Sequence, residues 1–259
     1  MKYEVAIPSY CRSAELKSKT LSLLERHNID RSLIKIFLRD EEQLEEYKRI
    51  VGEDYTYIVT GCMNIMEARN HLKHYYRDER PEIDYVLYID DDIDDIYEFV
   101  NKKLSRPIVN LEKFIIEAFT ITEKEGLSLW GVCGLINPFF MSDSYSKNLK
   151  YIMGGFSGEI IRRDKPIILT DYCHFEDVQF SMEYFLRDGG VIRFQSIGLK
   201  TVYFGDGGIN ECYGGKQKRL DALEGLAHEI SERYGKKMCK PIKRKWGWML
   251  QLNYRFALD

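Results

Sequence analysis

Residues 85–92 read Tyr-Val-Leu-Tyr-Ile-Asp-Asp-Asp, an apolar run rich in β-branched and aromatic residues that passes straight into three carboxylates. Such a run has the character of a strand buried on both faces, in the middle of a covered sheet. In open α/β sheets, ligands bind just beyond the carboxyl ends of such strands. The aspartates therefore stand where a site is expected. Three adjacent negative charges repel one another, and a divalent cation relieves that repulsion. Oxygen donors suit Mg²⁺ or Mn²⁺, which commonly take one or two carboxylates and complete their shell with substrate phosphate oxygens. The competing reading is an acidic turn whose Asp91 and Asp92 simply face solvent.

The segments ahead of this strand fix the fold class. Tyr3–Ile7 reads as a strand ended by Pro8-Ser9, followed by a helix over Ala14–His27 with Leu16, Thr20, Leu23 and Leu24 on one face. Leu33–Leu38 reads as a second strand, residues 41–51 as a helix closed by Gly52, Tyr55–Val59 as a third strand and Asn64–Tyr76 as a helix. Alternation at these lengths predicts a parallel, doubly wound sheet with right-handed crossovers. Beyond the aspartates the pattern loosens. It predicts a helix over Ile108–Glu125, a strand over Leu129–Ile136, a Gly-rich strand or loop over Tyr151–Ile161 and a helix at about 177–187. Val191–Phe194 and Lys200–Phe204 read as strands, and 217–234 as a helix. No internal repeat or low-complexity linker divides the chain.

A chain of 259 residues, 44% hydrophobic and 31% charged, has the composition of a globular domain with a sizeable core. The net charge of −3 gives no global attraction to nucleic acid, so a polyanion site would have to be local. The six cysteines are scattered, with no C-x-x-C pair, which disfavours a zinc site or a disulfide framework and fits reduced thiols in a cytoplasmic compartment. The first strand begins too early to leave room for a secretory signal, and no apolar run reaches membrane-spanning length. The expectation is a cytoplasmic protein rather than a lumenal one.

Three further constellations can carry chemistry. Pro8-Ser9-Tyr10-Cys11-Arg12 closes the first strand with a hydroxyl, an aromatic ring and a guanidinium, groups that can hold a nucleotide by hydrogen bonds, stacking and charge; Arg39 stands at the end of the second strand. Alternatively, Pro-Ser only starts a turn. Glu67-Ala68-Arg69-Asn70 lies near the start of its helix, where Arg69 can face a diphosphate or be an ordinary surface residue. His174-Phe175-Glu176-Asp177 precedes an amphipathic helix, so Asp177 is either a helix N-terminal carboxylate or a general base towards an acceptor hydroxyl. Upstream, Gly154-Gly155 lets backbone approach a ligand closely, or makes a bulge.

In kind and order these motifs resemble the GT-A nucleotide-sugar glycosyltransferases over nearly the whole chain. The resemblance implies a mostly parallel, Rossmann-like sheet with flanking helices and a small antiparallel subsheet on the acceptor side. It implies a nucleotide-sugar donor, most simply a UDP-sugar, held by Pro8, Ser9, Tyr10, Arg12, Arg39, Arg69, Asn70, Asp90 and Asp91. Asp90 and Asp92 would form the D-x-D motif holding Mn²⁺ or Mg²⁺, Asp177 with Glu176 beside it would supply the base, and Gly154 and Gly155 would face the acceptor. The corresponding division is a 1–235 catalytic domain, with a donor half 1–100 and an acceptor half 101–235, and a 236–259 extension. Many relatives carry a late histidine ligand after the last core strand; here Phe204-Gly205-Asp206-Gly207-Gly208 stands instead.

The N-terminal third is similar to a narrower group. Its run is Ile7-Pro8-Ser9-Tyr10, Lys19-Thr20-Leu21, His27-Asn28-Ile29-Asp30, Glu41-Glu42, Ala68-Arg69-Asn70 and Tyr88–Ile93. It resembles the TET-associated glycosyltransferases of phages and large viruses, although Met63–Asn70 departs from their more Gly/Gln-rich stretch. That likeness implies transfer of a sugar to 5-hydroxymethyl-pyrimidine in DNA, with a saccharide or protein acceptor as the alternative. Lys236, Lys237, Lys240, Lys243, Arg244 and Lys245, followed by Trp246 and Trp248, form a stretch that can hold phosphates and stack on an extruded base, or else a solvated tail with its tryptophans on the core. An aspartate-nucleophile phosphatase needs Ser or Thr at position 94, which is Asp, and a sugar-nucleotide pyrophosphorylase needs a Gly-rich loop in place of Pro8–Arg12. A non-catalytic nucleic-acid-binding protein leaves both acidic motifs without a role.

Overall fold

The computed structural model describes residues 1–169, 174–201, 215–245 and 247–258. Strands β1 (Tyr3–Pro8), β2 (Ile34–Leu38), β3 (Thr56–Val59) and β4 (Tyr85–Ile89) pair in parallel in the order β3-β2-β1-β4. The helices between them begin where the sequence offers caps. Asp40 accepts from the Gln43 N–H at the start of α2 (Glu41–Ile50). Asn64 accepts from the Glu67 N–H at the start of α3 (Ile65–His74), while Glu67 reaches back to the Met63 N–H at 2.7 Å. This reciprocal arrangement satisfies donors that a helix start otherwise leaves bare. The predicted first helix, α1, is continuous over 13–26 but passes through a π turn at Lys17–Leu21.

Period-two alternation divides the core. Val5, Ile7, Leu87 and Ile89 face one side with Leu16 and Leu24 of α1 and Tyr47 of α2. Ala6, Val86 and Tyr88 face the other, under Leu72, Tyr75 and Tyr76 of the α3 region. Both faces are covered, as the apolar run at 85–89 requires.

The second half of the sheet is mixed. β9 (Phe156–Ile160) inserts antiparallel between β4 and β7 (Leu129–Cys133), and β10 (Ile192–Lys200) runs parallel to β7. β5 (Asp95–Asn101), β6 (Leu104–Pro107) and β8 (Tyr145–Ser146) complete the edge antiparallel to their neighbours. α4 (Leu111–Lys124) packs Phe114 and Phe119 edge-on against the fully buried Trp130, which Phe156 and Phe194 also touch. Opposite Trp130 stands Gly158, where any Cβ would collide with the indole at 2.1 Å. α5 (Glu176–Asp188) and α6 (Lys216–Tyr234) share a core with the hairpin β11 (Cys239–Arg244) and β12 (Gly247–Leu252).

Several expectations need correction. The strand expected over Leu129–Ile136 stops at Cys133, and only Phe156–Ile160 of the Gly-rich stretch is strand. The two strands expected at Val191–Phe194 and Lys200–Phe204 are one strand ending at Lys200. That strand passes through a register shift against β7 between Phe194 and Gly198, and residues 202–204 lie outside the described residues. The hairpins β5–β6 and β11–β12 were not foreseen.

Candidate active site

The three aspartates close β4 at the carboxyl edge of the parallel strands, and each is held differently. Asp91 is buried: Ser9 Oγ donates to its Oδ2 at 2.6 Å and Arg12 Nη1 to its Oδ1 at 3.2 Å. Burial pushes this carboxyl up to about 6, against the pull of Ser9 and Arg12. Asp92 receives Arg12 at 3.0 Å and Thr201 Oγ1 at 3.3 Å. Asp90 receives Arg69 Nη2 on Oδ1 at 2.5 Å. Among the described residues no hydrogen bond reaches Asp90 Oδ2. The turn is pinned from beneath by Thr20, fully buried in the π turn of α1, whose hydroxyl donates to the Asp90 carbonyl at 2.7 Å and accepts from the Ile93 N–H at 3.0 Å.

Around this turn, Pro8 ends β1 and Ser9 is committed to Asp91 and to Tyr47, whose hydroxyl lies 2.7 Å away. That tyrosine also accepts from the Arg12 N–H at 3.0 Å. Tyr10 and Arg39 form a partly exposed pair at the ends of β1 and β2, with the guanidinium 5.4 Å from the ring centroid and 3.1 Å from the phenol oxygen. Asn70 is occupied elsewhere: its amide both donates to the Leu169 carbonyl and accepts from the Leu169 N–H, fastening Leu169 to α3.

The later motifs come to the same place because β9 runs antiparallel beside β4. Leu87 pairs with Gly158, Ile89 with Phe156, and one step further the Asp90 N–H donates to the Gly155 carbonyl at 3.0 Å. Gly154 follows, and a Cβ there would stand 3.0 Å from Arg69 Nη2 and 3.6 Å from Asp177 Cβ. The missing side chain lets the arginine and the second acidic motif converge. Glu176 and Asp177 open α5 after Phe175, whose backbone is left-handed (φ 65°). Asp177 Oδ1 accepts from the Val178 N–H at 2.8 Å, and Oδ2 accepts from the Tyr151 hydroxyl. Burial raises both carboxyls: for Glu176 the neighbouring Asp177 adds to the rise and Arg69 opposes it, while for Asp177 the Tyr151 hydroxyl and backbone N–H groups oppose it.

Arg69 is the hub. It is 7% exposed, it bonds Asp90, and its charge acts on both Glu176 and Asp177. Its Nη1 has no hydrogen-bond partner among the described residues. Beneath it lies a cavity of about 40 Å³ lined by Lys73, Tyr88, Phe180 and Tyr184 as well as by the two acids. The floor is a buried pair, Lys73 with Glu159, whose carboxylate also accepts from the Tyr88 and Tyr184 hydroxyls.

Sequence reasoning found Arg69, the aspartates and the Glu-Asp pair, and the structure brings them together with Gly154 and Gly155. It missed Thr20, Tyr47 and Tyr151. Tyr47 lies on the core face of α2 like any helix tyrosine, and only tertiary structure shows its hydroxyl beside Ser9. Lys243, Arg244 and Lys245 are exposed on the β11–β12 hairpin, with Lys243 Nζ 5.9 Å from the Trp248 ring centroid. Trp246 and the Phe204–Gly208 stretch lie outside the described residues.

Two carboxylates with an open oxygen at Asp90 suit a hard cation that takes most of its shell from phosphate and water. Among the described residues no group of three or more His, Cys, Asp or Glu side chains is arranged to hold a metal by itself. No described helix is long and apolar enough to cross a membrane.

No protein-family model matches the chain, and no curated protein does. Solved structures do. It is similar to TarS 1-349 of S. aureus at 14% identity and a TM-score of 0.50, over 89% of this chain and 66% of that one. It is similar to mannosyl-3-phosphoglycerate synthase of Rubrobacter xylanophilus at 10% identity and a TM-score of 0.50, over 100% and 86% of the two chains. A mycobacterial protein matches at 9% identity and a TM-score of 0.52, over 97% and 83%. The chain thus spans just under two thirds of the TarS fragment. At such identities the likeness is one of architecture alone: the chain has a GT-A-like fold.

Proposed function

We propose that the protein is a glycosyltransferase that moves a sugar from a nucleotide-sugar donor to a hydroxyl acceptor, with inversion, and that the acceptor is 5-hydroxymethyl-pyrimidine in DNA. The observation that carries the enzymatic reading is the meeting of two acidic motifs, remote in sequence, on one buried arginine at the carboxyl edge of the parallel strands. Tyr10 and Arg39 offer the donor base a cationic, aromatic face. Arg12 and Arg69 offer charge to its diphosphate. Asp90 and Asp92 would hold Mn²⁺ or Mg²⁺, which supplies counter-charge to the diphosphate. Asp177 takes the proton of the acceptor hydroxyl as that oxygen bonds the anomeric carbon, and the nucleoside diphosphate leaves with the electron pair of the broken bond.

The DNA acceptor rests on the narrower sequence resemblance and on the exposed cations of the β11–β12 hairpin. Binding through several phosphates weakens steeply with salt, because each contact releases condensed counterion. The test offers a panel of nucleotide sugars with duplex carrying hydroxymethyl-cytosine or hydroxymethyl-uracil, the same duplex with the methyl base, and an oligosaccharide. Sugar should appear on the hydroxymethyl duplex alone. Replacing Lys243, Arg244 and Lys245 by Ser should raise the KM for DNA and flatten its salt dependence, while donor hydrolysis is unchanged. Labelling of the oligosaccharide but of neither duplex would replace DNA by a saccharide acceptor.

A further inference from the structure

Asp177 is held by more than its own helix. The segment before β9 is fastened to the first turns of α5 in two places. The Ile152 N–H donates to Ser181 Oγ at 2.9 Å, and that hydroxyl donates in turn to the Asp177 carbonyl at 2.7 Å. One residue earlier, the Tyr151 hydroxyl donates to Asp177 Oδ2. The backbone bond fixes where Tyr151 stands, so its hydroxyl reaches one carboxylate oxygen while the Val178 N–H holds the other at 2.8 Å. The ring is only partly buried, packed between the two main core clusters. We propose that Tyr151 is a positioning residue: its hydroxyl sets the orientation of the Asp177 carboxylate and keeps it in the anionic form that accepts the acceptor's proton.

This rests on the reading of Asp177 as the base. The chemistry is that of a hydrogen bond made to the charged form, which favours ionisation. It is needed because the surroundings push the other way. Asp177 is buried, and Glu176 on the same turn carries a like charge when ionised. Among the described residues, the other charged groups near it are Arg69 of α3, Asp90 just beyond β4 across that arginine, and Lys73 across the cavity. Arg69 is shared among three carboxylates, so its help to any one of them is divided. The Tyr151 hydroxyl donates directly to the Asp177 carboxylate. No acidic signature in the sequence announces it, because it lies ahead of the glycines among residues that read as loop.

The test titrates the protein with ¹³C-labelled aspartate carboxyls, the Asp177 signal being assigned by its loss in Asp177→Asn. In Tyr151→Phe the Asp177 midpoint should move to higher pH with the other aspartates unmoved. 3-Fluorotyrosine at position 151, a more acidic phenol and a stronger donor, should move it to lower pH and serves if the phenylalanine variant folds poorly. Unmoved midpoints in both overturn the proposal. In transfer assays with the donor found in the panel, the acid limb of the Tyr151→Phe pH profile should move up, with the rate at high pH returning to that of the parent. A uniform loss at every pH with an unmoved limb also overturns it. Full turnover in Asp177→Asn removes the base assignment instead, and the carboxyl titration still decides whether Tyr151 governs Asp177.

Discussion

The two acidic motifs meet at one arginine but manage their charge through different partners. Asp90, Asp91 and Asp92 sit opposite guanidinium groups, Arg69 at 2.5 Å and Arg12 at 3.0 and 3.2 Å, so the turn has fixed counter-charge. Glu176 and Asp177 meet a tyrosine hydroxyl and backbone N–H groups, with Arg69 opposing the rise that burial gives both carboxyls. The first motif sets its carboxylates against guanidinium groups, although burial still raises Asp91 and Asp92. The second is built to lie within reach of a proton. Two carboxyl groups can share a site and take different roles when their environments differ in this way.

Substitution at each motif tests that contrast, and its largest effects fall on turnover. Asp92→Asn should abolish transfer with the fold intact, as should excess chelator on the parent. Asp177→Asn should lower kcat by roughly 10²- to 10⁴-fold, the usual contribution of a general base, with little change in donor affinity. Isothermal titration of the donor separates the two: the first variant should lose donor affinity and the second keep it. Equal losses of donor affinity would erase the distinction between the motifs.

A smaller effect concerns the support of the first motif. Thr20→Val keeps the shape of a fully buried side chain but strips partners from the Asp90 carbonyl and the Ile93 N–H. An unsatisfied buried polar group costs about 1–3 kcal/mol, so urea denaturation should show a loss of that order. The metal concentration giving half-maximal transfer should rise, while the pH profile set by Asp177 should not move. A moved profile would mean that the two motifs are mechanically one unit.

The contrast also explains what the sequence could disclose. Tyr85–Ile89, β1 and β2 were legible because both faces are buried, so nearly every residue is apolar, and Asp40 and Asn64 mark helix starts. The acids were legible as charge placed at the end of an element. Their support was not: Thr20, Tyr47 and Tyr151 act through hydroxyls on residues whose remaining atoms are ordinary packing. β6 (Leu-Ser-Arg-Pro), mostly exposed, and β11 (Cys-Lys-Pro-Ile-Lys-Arg), half exposed, are edge strands whose polarity and proline are those of loops.

The smallest predicted effect reads the charge of the second motif without any substrate. Burial, then Asp177, raise the Glu176 carboxyl, and Arg69 only opposes this. Below the ordinary glutamate value of roughly 4.3, the group is protonated in both folded and unfolded chains and contributes no pH dependence. Above it the unfolded chain releases the proton while the folded chain retains it, so folding takes up a proton and stability falls as pH rises. Glu176→Gln removes that liability while keeping the side chain's size. Calorimetric melting in metal-free buffer should therefore show equal temperatures for variant and parent at pH 4, and a higher temperature for the variant at pH 8. A variant that melts lower at pH 8 would mean that the Glu176 carboxylate is stabilised by Arg69 as Asp90 is, and the two motifs would then manage charge alike.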